Sequence, residues 1–276
     1  MKNSLLHTHF SKRDNCDIMC YILLHLLHIL SGGDFYMKLK GIAFYTICAT
    51  LLISFVFLII TSFYRLSLYT AVENLTYDYK SDYIIIDSGH GGEDGGAVSA
   101  DGILEKDINL KISRKLSDTM KILGFDVKET RKEDTSLDTE GSTIRERKVS
   151  DMKKRLAIFN ENTNNIVISI HQNKFTESKY SGTQIFYSTN NADSAYLAEN
   201  IKNSVVANLQ PENTRECKKA DNNIYLLKNA TVPAVIVECG FISNHSELQN
   251  LIDENYQKEM SYSIAIGYIN YKNTKN

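Results

Sequence analysis

The sequence carries almost no excess of charge: 31 lysines and arginines face 33 aspartates and glutamates over 276 residues, a formal charge of -2. From Ser81 onward the balance is 24 basic to 28 acidic residues. No polybasic face is therefore available to hold a phosphate backbone or another anionic polymer by charge alone, which excludes nucleic acid as the main partner. Cysteine is scarce as well, five in all. Cys16 and Cys20 lie near His7, His9, His25 and His28 in a spacing that matches no zinc motif. No internal repeat or low-complexity module occurs. What is present is a hydrophobic content of 43%, suited to one or two domains.

Charge is missing altogether from residues 41–64, which are mostly apolar. At ~1.5 Å per residue such a helix is long enough for the ~30 Å hydrocarbon core, which predicts one membrane span. A cleaved export signal would have a shorter apolar region and a small-residue cleavage site, and none follows Phe63-Tyr64-Arg65. Lys38 and Lys40 predict a cytoplasmic N-terminal side, with everything after Arg65 outside the cytoplasm. Residues 66–81 read as a polar, tyrosine-containing linker. The stretch 1–36 reads as a mis-called extension. Gly32-Gly33-Asp34 is what the ribosome-binding sequence GGAGGTGAT would encode, just upstream of Met37, so translation is expected to begin at Met37-Lys38-Leu39-Lys40.

The remainder, 82–273, reads as a single α/β domain. Apolar, β-branched runs predict strands over 83–86, 126–130, 166–170, 182–187, 223–227 and 234–237, and helical patterns fall over 107–123, 144–162, 192–209 and 254–271. Their alternation predicts a mostly parallel, mixed and twisted sheet of about six strands flanked by helices. Cys217 and Cys239 would then face an oxidising exterior, where a disulfide between them is permitted. Cys239 continues a strand, so its side chain is expected to point away from that of Glu238 and into packing.

Three of these strands end on residues able to do chemistry. Tyr83-Ile84-Ile85-Ile86 runs into Asp87-Ser88-Gly89-His90-Gly91-Gly92-Glu93-Asp94-Gly95-Gly96, where glycines let the chain turn and present His90 at a strand's carboxyl end. Ile166-Val167-Ile168-Ser169-Ile170 ends on His171-Gln172-Asn173, and Ala234-Val235-Ile236-Val237 ends on Glu238. Two imidazoles and a carboxylate with an open fourth position form the ligand set of catalytic zinc, and a further carboxylate can act as general base toward bound water. His245, in Ser243-Asn244-His245-Ser246-Glu247, reads instead as a capped helix start at the surface. The carboxylate ligand stays open among Glu105, Asp107, Glu93 and Asp94. An acid following Val235-Ile236-Val237 is an uncommon place for mere solubility, which makes Glu238 the candidate base. Arg155 is a candidate to bind a substrate carboxylate through its fork of donors, and Asn173 a candidate to orient substrate.

At these residues the sequence resembles the zinc-dependent N-acetylmuramoyl-L-alanine amidases, which cut the amide joining the glycan's lactyl group to the stem peptide of peptidoglycan. The motifs Asp87-x-Gly89-His90-Gly91-Gly92, Leu104-Glu105-Lys106-Asp107, Ser169-Ile170-His171-x-Asn173 and Glu238-x-Gly240-Phe241-x-Ser243-Asn244 occur in the family's order. The resemblance implies Zn2+ held by His90, Glu105 and His171, with Glu238 as base and peptidoglycan as substrate. Glu133 to Leu137, Arg147 to Met152, Asn213-Thr214-Arg215 and Gly240 to Asn244 are most similar to the short sporulation and germination members that help make muramic-δ-lactam in spore cortex. That likeness implies a membrane-anchored enzyme facing the cortex, with an accessory protein as a further possible partner. Ser88 departs from the family's usual proline, which is expected to loosen the loop holding His90. Two other readings use the same residues less well. A zinc carboxypeptidase would bring its first His and Glu from one short loop, and a non-catalytic wall-binding protein would not need all four residues intact.

Overall fold

The computed structural model describes residues 33–75, 83–138 and 140–274. These fall into two compact units, divided after Leu75. The expected mis-called segment through residue 32, and the linker over 76–82, lie outside the described residues.

In the first unit a single helix, α1 (Gly33–Leu75), contains an apolar window at Phe44–Arg65 of mean hydropathy 2.4, with none of it buried against protein. Its 22 residues make ~33 Å of helix, so it is long and apolar enough to cross a membrane. Leu51, Ile53, Phe57 and Ile60 are each at least 60% exposed. The helix continues through Leu75, where a linker was expected from residue 66.

The second unit is a six-stranded sheet in the order β2-β1-β3-β6-β4-β5. Its strands are β1 (Tyr83–Ser88), β2 (Asp126–Glu129), β3 (Asn165–Asn173), β4 (Gln184–Tyr187), β5 (Lys218–Lys219) and β6 (Ala234–Phe241). The first four in spatial order are mutually parallel, whereas β4 lies antiparallel to β6 and carries β5 parallel to itself. The helices are α2 (Glu105–Ile122), α3 (Ile144–Phe159), α4 (Asp193–Asn208), α5 (Tyr225–Asn229), α6 (His245–Ile252) and α7 (Glu254–Thr274).

Central strands covered on both faces need apolar side chains at every position, which is why β1, β3 and β6 read as unbroken Ile and Val runs. Ile84, Ile86, Ile168, Ile170, Val235 and Val237 point to one face. There they meet the stripe Ile108, Ile112, Leu116 and Met120, spaced four apart along α2, together with side chains of α4 and α7. Ile85, Val167 and Ile236 point to the other face, under Phe159 of α3 and Leu226 and Leu227 of α5. Each fully buried Ile or Leu stabilises the fold by ~1.5–3 kcal/mol relative to exposure. At Gly267 of α7 an added Cβ would lie 2.5 Å from the Ile201 backbone of α4, so only glycine lets these helices pack at this distance.

Two expectations are corrected. The apolar run at 223–227 is not a strand: Tyr225–Asn229 forms a single turn of helix that packs Leu226 and Leu227 downward, and the strand in that region is the two-residue β5. Cys217 and Cys239 are both free thiols. Cys239 is wholly buried in the core on the face opposite Glu238, and burial pushes both thiols up, Cys217 to about 12.

Candidate metal centre

The carboxyl ends of β1, β3 and β6 converge on one edge of the sheet. In the parallel pairing His171 lies opposite Glu238, and across the antiparallel pair Gln184 lies opposite Glu238. Side chains in register share a face, so His171, Glu238 and Gln184 form a row. The chain leaving β1 closes that row from the other side. Gly89 passes so near the His171 ring that any Cβ there would collide with it.

His90, Glu105 and His171 each present an atom able to hold a metal, all within 4.8 Å of one another. His90 Nε2 lies 3.3 Å from Glu105 Oε2 and His171 Nδ1 lies 3.0 Å from Glu105 Oε1. The other ring nitrogen of His90, Nδ1, is 2.9 Å from Asp94 Oδ2. A carboxylate on the far nitrogen fixes the ring orientation and leaves Nε2 to face the centre, the usual outer partner of a metal-bound imidazole. Glu105 is the first residue of α2 and is fixed by the backbone amides of Ala97 (2.8 Å) and Gln172 (3.0 Å) and by Asn109 Nδ2 (3.3 Å). Burial opposes its ionisation, but His171 and His90 hold its carboxyl far below the usual range. Burial likewise opposes charge on His90, and the Asp94 and Glu105 carboxylates outweigh it, raising the imidazole to about 9.

Of the rival carboxylates, Asp107 is exposed on α2, Glu93 pairs with Arg147, and Asp94 serves His90 from behind. Two nitrogens and one carboxylate oxygen in mutual reach suit zinc better than calcium or magnesium, which favour oxygen throughout. Glu238 completes the fit. Its Oε2 is buried without a hydrogen-bond partner, and burial raises its carboxyl to about 7, with His171 pulling down and Glu105 pushing up. A carboxylate of that basicity beside the three donors is placed to take a proton at neutral pH.

The loop bearing His90 is strained and braced. Among the described residues His90 is the non-glycine with a positive φ, 61°, a conformation costing about 1–3 kcal/mol unless its surroundings impose it. Arg155 Nη2 donates to the His90 carbonyl (2.7 Å) and Nη1 to the Ser88 carbonyl (2.8 Å), while Arg131 donates to Ser88 O and Gly89 O (3.0 Å each). Arg155 is also ion-paired with Asp87 and Asp151. At 2% exposure, and with its donors committed to protein groups, Arg155 has no free fork for a substrate. The expectation that it binds one is corrected: it braces the His90 loop from below. At Ser88, where the expected looseness would arise, the N–H that proline lacks donates to Thr130 Oγ1 at 3.2 Å. Asn173 lines a cleft beside Glu238, and His245 is the exposed first residue of α6, capped by Asn244 Oδ1. Sequence reasoning missed Asp94 as the orienter of His90, although its i+4 spacing was a signal, and it missed Asn109 and Arg131.

Fold and site together define a protein with a mixed α/β sheet and a three-donor centre able to hold a metal ion. A profile of the N-acetylmuramoyl-L-alanine amidases matches residues 84–270, and the chain belongs to that family. It is 34% identical to the germination-specific N-acetylmuramoyl-L-alanine amidase of Bacillus subtilis over 85% of this chain and 95% of that one. Among solved structures it is similar to the CwlD amidase of Clostridioides difficile, determined in complex with the GerS lipoprotein. That match has 40% identity and a TM-score of 0.67 over 70% of this chain and 99% of the other. It is also similar to an N-acetylmuramoyl-L-alanine amidase of Clostridium difficile 630, with 28% identity and a TM-score of 0.61 over 71% and 99% of the two chains.

Proposed function

We propose that this amidase is zinc-dependent, is held at a membrane by the helix through 44–65, and acts on the peptidoglycan of spore cortex. The observation carrying the chemistry is the pairing of a His90-Glu105-His171 donor set with a partnerless carboxylate oxygen on Glu238 in the same row of the sheet. Zinc held by these three residues would supply Lewis-acid polarisation of the scissile carbonyl and a water made nucleophilic at neutral pH. His90 and His171 would serve as the nitrogen donors to the zinc and Glu105 as the oxygen donor. Glu238 takes the proton of the attacking water and returns it to the nitrogen of the departing alanine. Asp94 keeps Nε2 of His90 turned inward throughout.

Digestion of purified peptidoglycan tests the reading directly. An amidase frees stem peptides with new alanine amino termini and leaves muramic acid bare, whereas a carboxypeptidase releases a terminal amino acid and leaves the peptide attached. The cortex role is supported by the likeness to a germination-specific relative. Removing the whole stem peptide exposes the lactyl carboxylate from which muramic-δ-lactam forms, so a deletion strain should sporulate yet lack the lactam in digested cortex. Normal lactam content would leave the amidase chemistry standing and refute the role. The solved relative bound to a lipoprotein supports a lipoprotein partner here too, to be sought by co-purification from sporulating cells.

A further inference from the structure

Beyond Glu238 the catalytic edge opens into a cleft of about 340 Å3 lined by Asn173, Phe175, Tyr180, Arg215, Lys218 and Phe241. It neighbours the site through the strands, since Asn173 ends the strand that carries His171. Its floor includes Gln184, which faces Glu238 in the β4–β6 register, and Phe186, two residues along on the same side and opposite Lys218.

Arg215 is built into this cleft. Its guanidinium carbon lies 4.6 Å from the Phe241 ring centroid and 5.8 Å from that of Tyr180. Nε donates to Ser181 O at 2.6 Å, and the backbone N–H donates to Asn213 Oδ1 at 3.0 Å. Asn213 is itself tied to Thr183 O and Gln210 Oε1. What remains is the outer edge of the fork, where Nη1 has only a long 3.5 Å contact to Gln184 Oε1. Among the described residues no carboxylate comes within ion-pair distance of Arg215 or Lys218. Glu247 is close enough to feel Arg215, but its two oxygens accept the amides of Gly182 and Phe241. Two cations without anions, one pre-oriented by stacking, form a site for a carboxylate.

We propose that this cleft takes the peptide side of the substrate and that Arg215, assisted by Lys218, binds a carboxylate of the stem peptide. The proposal rests on the amidase reading above. In that substrate the lactyl carboxyl is tied up in the amide to be cut, so the free carboxylates lie on the peptide. The aromatic walls then cover the peptide's aliphatic parts.

The test uses the full chain with zinc, as wild type, Arg215→Gln and Arg215→Lys, on glycan oligomers whose stem-peptide carboxylates are free or amidated. Amidation should raise the wild-type KM ~10- to 100-fold, the range of one charge-assisted hydrogen bond, with kcat changed little. Arg215→Gln should show that raised KM on the free carboxylates and be indifferent to amidation, and Arg215→Lys should recover part of the loss. A wild type insensitive to amidation overturns the proposal, as does an Arg215→Gln enzyme that loses as much on amidation as the wild type. Loss in kcat at unchanged KM would make Arg215 merely structural, and weakened binding of peptide-free glycan would assign the cleft to sugar; either overturns it. Failure of the wild type to release stem peptide from any substrate refutes the amidase reading itself.

Discussion

Two carboxylates stand on the same face of the sheet at the ends of β1 and β6, with β3 between them, and the protein treats them in opposite ways. Asp87 is wholly buried and paired with Arg155, and it accepts hydrogen bonds from Thr130 and Ser169. Burial alone would raise its carboxyl, but these partners hold it below the usual range. Glu238 has an oxygen with no partner, and burial takes it up to about 7. Saturating the first with donors makes it a structural strut under His90, while withholding donors from the second leaves it the basicity that the proposed role as a base requires. The difference lies in the neighbours, since both are carboxylates at the end of an Ile- and Val-rich strand.

The comparison can be broken most completely at the centre between them. His90→Ala or His171→Ala leaves one imidazole and one carboxylate, too few donors for tight binding, so each purified variant should lack zinc by elemental analysis and show no hydrolysis. Stoichiometric zinc in either one contradicts the ligand assignment.

Glu238→Gln should retain zinc and lose ~10²–10⁴-fold in turnover, because the amide can hydrogen-bond but cannot accept the proton. The same variant carries a stability signature in metal-free protein. A carboxyl whose folded value is raised costs stability that accrues as pH climbs from its unfolded value toward about 7. Metal-free Glu238→Gln should therefore match the wild type near pH 4 and exceed it by a few kcal/mol above pH 7 in urea unfolding. A gap that fails to open with pH would mean that Glu238 is not unpaired.

On the strut side, Arg155→Met strands Asp87 as an uncompensated buried charge and should cost ~3–5 kcal/mol in the same assay. Arg215→Gln, at a half-exposed guanidinium, should cost less than about 1 kcal/mol. Comparable losses at the two arginines would erase the distinction between brace and open cleft.

The most gradual effect is the pH dependence of the strut itself. A depressed carboxyl contributes stability that is full above its unfolded value near 4 and is lost as pH falls through its folded value. Asp87→Asn should thus be less stable than the wild type at pH 7. The two should converge in acid, at a slope no steeper than ~1.4 kcal/mol per pH unit. Parallel curves down to pH 2 would remove Asp87 from the role.

The candidate metal donors and the candidate base could be picked out because strand periodicity is local. An apolar run of four or five residues ending on His or Glu announces both the strand and the edge at which its last side chain sits, as at His171 and Glu238, while the glycines that follow β1 announce the turn that carries His90. Glu105 was less legible, since Asp107 and Asp94 compete with it in sequence, and only folding shows that the amides of Ala97 and Gln172 converge on it. Arg155 misled because α3 is rich in charge, and nothing local shows that this one guanidinium turns inward. Its partner Asp87 is 68 residues away, and no local pattern reports such a pair. Ile224-Tyr225-Leu226-Leu227 has the composition of a strand, yet no sheet edge receives it, and one turn of helix suffices to bury two leucines. The edge strand Lys218–Lys219 has no apolar signature at all.

Because β4 runs against β6, the catalytic edge receives a strand's beginning there, and the segment from Lys174 to Thr183 arrives over it carrying Phe175 and Tyr180. None of the three metal donors nor Glu238 belongs to that segment. The exposed side chains from Phe175 to Lys179 can change without removing a donor or Glu238, which gives evolution and protein engineers one separable place to retune which peptides such an enzyme accepts.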